Sequence, residues 1–210
     1  MIDLTGQDAS GSWFGNFGQI SVSTLDLSAA VDFWEDVLGI GPWLIYRGLR
    51  MEAVHEGRPI STPFDVALAW HDGRIVELIQ ATGDGPSPLH DSLNRAIPGL
   101  NRLASLTRDM EGDARRAESR GMVRMTHGSS GSQRFIHYRS DQAPGLILEL
   151  LELTPDMERL IEELKARAAA FFAARKGGCV SGRCGCGTRA SAHEGSASFG
   201  LWRARPPLHR

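Results

Sequence analysis

The chain repeats itself once, and that repeat restricts its fold more than any other feature. "GQISVSTLDLSAAVDFWEDVLGIG" and "NRLASLTRDMEGDARRAESRGM" follow one plan of short strand, aspartate, helix and glycine stop. Asp26 corresponds to Asp109, and Gly39 to Gly121. After a variable middle, each copy reaches a strand holding an acid among aliphatics, "GRIVELIQ" and "GLILELLEL". A period of this kind takes precedence over local readings. It implies two β-α-β-β-β units in one α+β domain.

Composition divides the chain at the ends of the repeat. Residues 1–14 are a polar, glycine-rich lead-in, expected to be flexible. Residues 15–155 carry the periodic patterns, the first module over about 15–83 and the second over about 98–155. Residues 156–176 read as a C-terminal helix, and 177–210, without period, as a disordered Gly/Arg tail. That tail holds all the cysteines, Cys179, Cys184 and Cys186. The body therefore has no disulfide framework, and three thiolates without a fourth ligand are a weak metal signal.

Local signals agree with the repeat. Ser28 is expected to cap a helix over 29–38 that Gly39 ends, with Val31, Trp34, Val37 and Leu38 as its apolar stripe. Asp72-Gly73 suits a type I′ hairpin turn. Thr154 and Pro155 open the last helix, whose stripe is Met157, Leu160, Ile161, Leu164, Ala168 and Phe171.

The hairpin fixes where one acid points. With a two-residue turn, Trp70 opposes Ile75 and Leu68 opposes Glu77, so Val66, Leu68, Trp70, Ile75, Glu77 and Ile79 share a face. Glu77 then sits in an apolar row, where a carboxylate costs several kcal/mol unless partnered. Glu149 poses the same problem between Ile147 and Leu151. If residues 140–145 form the loop, Tyr138 shares its face and is the counterpart of Trp70, while His137 turns towards a helix. The alternation also groups Gln19 with Ser21, and Arg102 with Ala104. The loop histidines His55 and His127 are placed where they can lid the site.

At these residues the sequence resembles the vicinal oxygen chelate superfamily, in its glyoxalase and methylmalonyl-CoA-epimerase-like branch. "GQISVSTLDLSAAVDFWEDVLGIGPW", "VALAWHDGRIVELIQ" and "PGLILELLEL" carry the likeness. It implies tandem β-α-β-β-β modules curling into one open barrel-like sheet around a site. In the family a divalent ion is commonly held by His or Gln, Glu, His and Glu. Those positions fall on Gln19, Glu77, Arg102 and Glu149. An arginine has no lone pair to give a metal. The expectation is that Arg102 replaces the ion, bridging Glu77 and Glu149 with no cofactor. Two other arrangements remain open: Arg102 turned outward beside a metal on Gln19, Glu77 and Glu149, or a register that turns Asn101 inward.

The resemblance then implies a metal-independent lyase or isomerase acting beside the carbonyl of a medium-sized hydrophobic metabolite. Glu149 is the expected proton shuttle, Glu77 fixes Arg102, and Gln19, Trp70, Tyr138 and Trp43 are candidate substrate contacts. A non-catalytic, sequestering protein and a metal-dependent glyoxalase or epimerase are the alternatives. The formal charge of −2 and the lack of a basic run argue against nucleic acid. No apolar run is long enough for a membrane span, and no secretory signal opens the chain, so a cytoplasmic protein is expected. A homodimer is compatible with the resemblance.

Overall fold

The computed structural model describes residues 14–15, 17–177 and 193–194. Apart from those short pieces, the expectations for the lead-in and for the cysteine-bearing tail lie outside the described residues.

Each half runs strand, helix and three strands. The first contains β1 (Phe17–Ser23), α1 (Leu27–Asp36), β2 (Leu44–His55), β3 (Arg58–His71) and β4 (Arg74–Ala81). The second contains β5 (Gly99–Thr107), α2 (Met110–Glu118), β6 (Val123–Ser130), β7 (Gln133–Arg139) and β8 (Leu148–Glu152). Helix α3 (Pro155–Gly177) follows, and a short strand, β9 (His193–Glu194), pairs in parallel with Leu44 and Ile45.

Hydrogen bonding follows the order β3-β4-β1-β5-β8-β7-β6-β2, and β2 pairs again with β3. Eight strands thus form the expected barrel-like sheet, and the ring is continuous. The halves join through antiparallel β1–β5 on one side and antiparallel β2–β6 on the other. At the second seam a Cβ on Gly128 would lie 2.2 Å from the carbonyl oxygen of Glu52. Only glycine lets β6 come that close to β2.

The turn that sets the register of the first half forms as expected. Asp72 and Gly73 take φ of 45° and 80°, Trp70 pairs with Ile75, and Leu68 pairs with Glu77. Helix α1, however, begins before Ser28. Asp26 accepts from the amide of Ala29 at 3.0 Å, and Asp109 does the same for Gly112 at the start of α2. The repeated aspartate is therefore the cap in both halves, since its carboxylate reaches a free first-turn amide. Thr154 accepts from the amide of Met157 at 3.1 Å and opens α3.

Three apolar clusters hold these elements. The barrel interior merges with Met157, Leu160, Ile161 and Leu164 of α3. Leu27, Val31 and Trp43 pack α1 on the outside, and Met110, Ala114 and Tyr138 pack α2 there. His55 and His127 lie in the paired strands β2 and β6, not in lid loops, because those strands extend through their glycine-rich stretch to make the seam. Among the described residues no helix is long and apolar enough to cross a membrane.

Candidate functional site

The first and last strands of the two halves, β1, β4, β5 and β8, bring four polar side chains to the barrel centre. Gln19 faces Ala104 across β1–β5, and Arg102 faces Ser21. Ser21 flanks Glu77 on β4, and Ala104 flanks Glu149 on β8. The halves are therefore related by an approximate two-fold that exchanges Gln19 with Arg102 and Glu77 with Glu149.

Arg102 lies between the two acids. Its Nε donates to Oε2 of Glu149 and its Nη2 to Oε2 of Glu77, both at 2.8 Å. Its Nη1 donates to Oδ1 of Asn101 at 2.7 Å. Adjacent strand residues normally point to opposite faces, but Ser21 pairs with Arg102 while Val22 pairs with Leu100. Asn101 is thus the extra residue of a β-bulge, and the bulge lets it join Arg102 inside. Asn101 is tethered in turn by Nδ2 to the carbonyl of Pro88 at 3.3 Å.

Burial makes this cluster electrically sensitive: Arg102 and Glu77 are each 4% exposed and Glu149 2%. Burial pushes the Glu77 carboxyl up, Arg102 pulls it down and Glu149 pushes it up again, leaving it at about 7. Burial also acts upward on Glu149. There it is outweighed by Arg102 and by the hydrogen bond from His137, which bring it down to about 2. The two acids are pushed apart, one held ionised and the other able to exchange a proton near neutrality. Glu77 accepts from Ser21 Oγ and from Arg102 at one oxygen, Oε2, and its Oε1 has no partner among the described residues.

His137 is the member that sequence reasoning missed. It pairs with Glu149 across β7–β8, its Nε2 lies 3.2 Å from Oε1 of Glu149, and it stacks on Phe135. Burial pushes its imidazole below the usual histidine range. By the two-fold, His137 corresponds to Leu68, which pairs with Glu77. Leu68 precedes Glu77 by nine residues (77 − 68), and His137 precedes Glu149 by twelve (149 − 137). The three extra residues are an odd number, so the alternation inverts between strands, and a one-residue slip exchanges the faces. The sequence holds no signal for this, because the face of His137 depends on the register of β7 against β8, which an assumed loop over 140–145 sets one residue out.

Together these residues line a cavity with about 530 Å³ of free space counted out to solvent. Apolar side chains from the barrel, and Met157 and Leu160 from α3, complete the wall. The sequence profile of the Glyoxalase/Bleomycin resistance protein/Dioxygenase superfamily matches residues 18–137. The chain belongs to that superfamily.

Among solved structures, similarity extends to methylmalonyl-CoA epimerase from Mycobacterium tuberculosis. The identity is 17%, covering 71% of this chain and 95% of that one, with a TM-score of 0.49. A hypothetical protein from Bacillus halodurans is 11% identical, covering 66% and 94%, with a TM-score of 0.48. No curated protein sequence matches the chain.

The superfamily's usual divalent ion does not fit these residues. The position that the resemblance gives to a ligand is held by a guanidinium, which bonds both carboxylates at 2.8 Å and has no lone pair to offer. Its charge also repels a second cation at that distance. Of the substrate contacts expected in this superfamily site, Gln19 lines the cavity. Tyr138 is turned away: the inverted alternation places it on α2, with its hydroxyl towards Glu118. Trp43 is also outside, just before β2, packed edge-on against Trp34 of α1 in the helix-side cluster with Nε1 donating to the carbonyl of Ile40. Trp70 is packed against the interior cluster, with Lys165 of α3 over its ring, and does not line the cavity.

Proposed function

We propose that this superfamily member is a metal-independent enzyme that moves a proton beside the carbonyl of a medium-sized hydrophobic metabolite, as an isomerase or a lyase. The observation that carries the reading is the guanidinium of Arg102 between Glu77 and Glu149, where a divalent ion is usual. The roles of the two acids exchange relative to the sequence expectation. Glu149, committed to Arg102 and His137, fixes the cluster, and Glu77, with a free oxygen and a raised pKa, transfers the proton.

In this reading Glu77 Oε1 takes a proton from the carbon next to the carbonyl, and the electron pair moves onto the carbonyl oxygen. The remaining N–H bonds of Arg102 and the amide of Gln19 stabilise that oxyanion. Return of the proton from Glu77 to the opposite face, after the planar enolate turns over, gives epimerisation, and its return to a different carbon gives isomerisation. Loss of a group from the neighbouring carbon gives elimination. Both reactions balance without an external oxidant or metal.

The test is deuterium wash-in from D2O at the carbon next to the carbonyl, followed by mass spectrometry over a panel of aryl and alkyl ketones and thioesters. Exchange that survives chelators and is abolished by Glu77→Gln, with the fold intact, is the expected result. Exchange that chelators abolish, or that Glu77→Gln leaves unchanged, overturns the reading. No exchange across the panel favours a sequestering protein instead.

A further inference from the structure

The strand β7 turns Gln133, Phe135 and His137 to the cavity in alternation. Gln133 Nε2 donates to the carbonyls of Glu152 at 2.6 Å and Arg134 at 3.3 Å. These contacts fix the amide's orientation and leave Oε1 buried, without a partner among the described residues. At the other end, His137 Nε2 faces Glu149, and an ionised carboxylate only accepts, so the ring proton lies on Nε2. The buried neutral ring then has a bare Nδ1, also without a partner among the described residues. Two acceptors, on two residues that line one cavity wall, thus lack donors among the described residues. Their residues are four apart on one strand, a backbone separation of roughly 13 Å.

Between them the wall is apolar, formed by Phe135 with Met51, Leu151 and Leu160. Buried acceptors are normally satisfied, by protein, water or ligand. The charge balance narrows the choice further. Arg102, the cation of the lining, has its single charge already balanced by Glu149 and shared with Glu77, so a permanently ionised carboxylate or phosphate would add uncompensated negative charge beside Glu149.

We propose that the cavity takes a neutral, elongated molecule with an apolar body and hydrogen-bond donors, hydroxyl or N–H, at its two ends. This rests on the preceding reading only in taking the same cavity as the substrate site. The amide of Gln19, without a hydrogen-bond partner among the described residues, remains to donate to a carbonyl in the body of such a molecule.

The experiment is calorimetric titration of the full chain with three probes sharing an eight-carbon body: octanediol with terminal hydroxyls, its dimethyl ether, and the dicarboxylate suberate. The diol is expected to bind at least about tenfold more tightly than the ether, since only the diol donates to both acceptors, and more tightly than suberate. Gln133→Met and His137→Phe, each removing one acceptor, are expected to bring the diol-to-ether ratio towards one. If either variant fails to fold, the other and the wild-type series still decide. An ether or suberate that binds as tightly as the diol, or no binding by any of the three, overturns the proposal. Diol preference retained in Glu77→Gln without wash-in activity in the wild type would defeat only the proton-transfer reading. Wash-in activity without diol preference would defeat only this one.

Discussion

Nη2 of Arg102 stands 2.8 Å from Oε2 of Glu77, and both side chains are about 5% exposed. A pair so far from water is costly to break from one side. Arg102→Met leaves Glu77 and Glu149 facing each other without a counter-charge, and a loss of about 3–5 kcal/mol is expected. Protonation of a carboxyl relieves part of the repulsion, so urea denaturation should show a larger loss at pH 8 than at pH 5. Equal losses at both pH values would mean that the cluster contributes packing and not charge.

The raised carboxyl of Glu77 has a pH consequence of definite sign. Its folded pKa of about 7 lies above the ordinary value of 4.5, so the folded state holds the proton longer than the unfolded chain. Its contribution is therefore greatest below pH 4.5 and is lost as pH rises through about 7. The total change is about 3 kcal/mol. Glu149, depressed to about 2, acts oppositely: its contribution is present above pH 4.5 and disappears as pH falls towards 2. The stability of the wild type relative to Glu77→Gln, followed by denaturation from pH 4.5 to 8, should fall by that amount. A flat difference would contradict the assignment.

Arg102→His restores the donor set that the superfamily commonly uses, with Gln19, Glu77 and Glu149 already facing the same point. The wild type is expected to hold no stoichiometric divalent metal, and the variant to acquire nickel, zinc, manganese or cobalt. Elemental analysis after dialysis against each ion distinguishes them. Metal bound equally by both proteins would show that the guanidinium does not exclude it.

Gly128→Ala tests the second seam. The added methyl would lie 2.2 Å from the Glu52 carbonyl oxygen and 2.5 Å from Cα of Ala53, so β2 and β6 must separate. Backbone is the obstacle, and a loss of about 1–3 kcal/mol is expected. Amide exchange should quicken at residues 52–55 and 126–129, the paired segment, before it changes at β1–β5. Uniform loosening of the barrel would mean that the seam is not a separate unit.

The particular residues show what the sequence makes legible. Asp72-Gly73 requires positive φ at both positions, which fixes the turn, and the turn fixes the face of Glu77 without further information. The repeat then carries the same logic to Gln19, Arg102 and Glu149, because these positions lie on first and last strands in both halves. It fails where chain length intervenes. The longer β7–β8 connection inverts the alternation, hides His137 and promotes Tyr138 in its place. The bulge at Asn101 is equally invisible, since alternation assumes an unbroken ladder. Trp43 illustrates a different limit: an aromatic residue suits both a pocket wall and a helix–sheet interface, and only packing against Trp34 decides.

The lone guanidinium between two carboxylates also bears on how such a chain can be assembled. A pair of identical modules meeting on a true two-fold would bring either two arginines or none to the axis, and neither count matches two carboxylates with one cation. The asymmetric centre therefore requires unlike halves, and covalent tandem linkage guarantees that each Gln19-bearing half always meets an Arg102-bearing one.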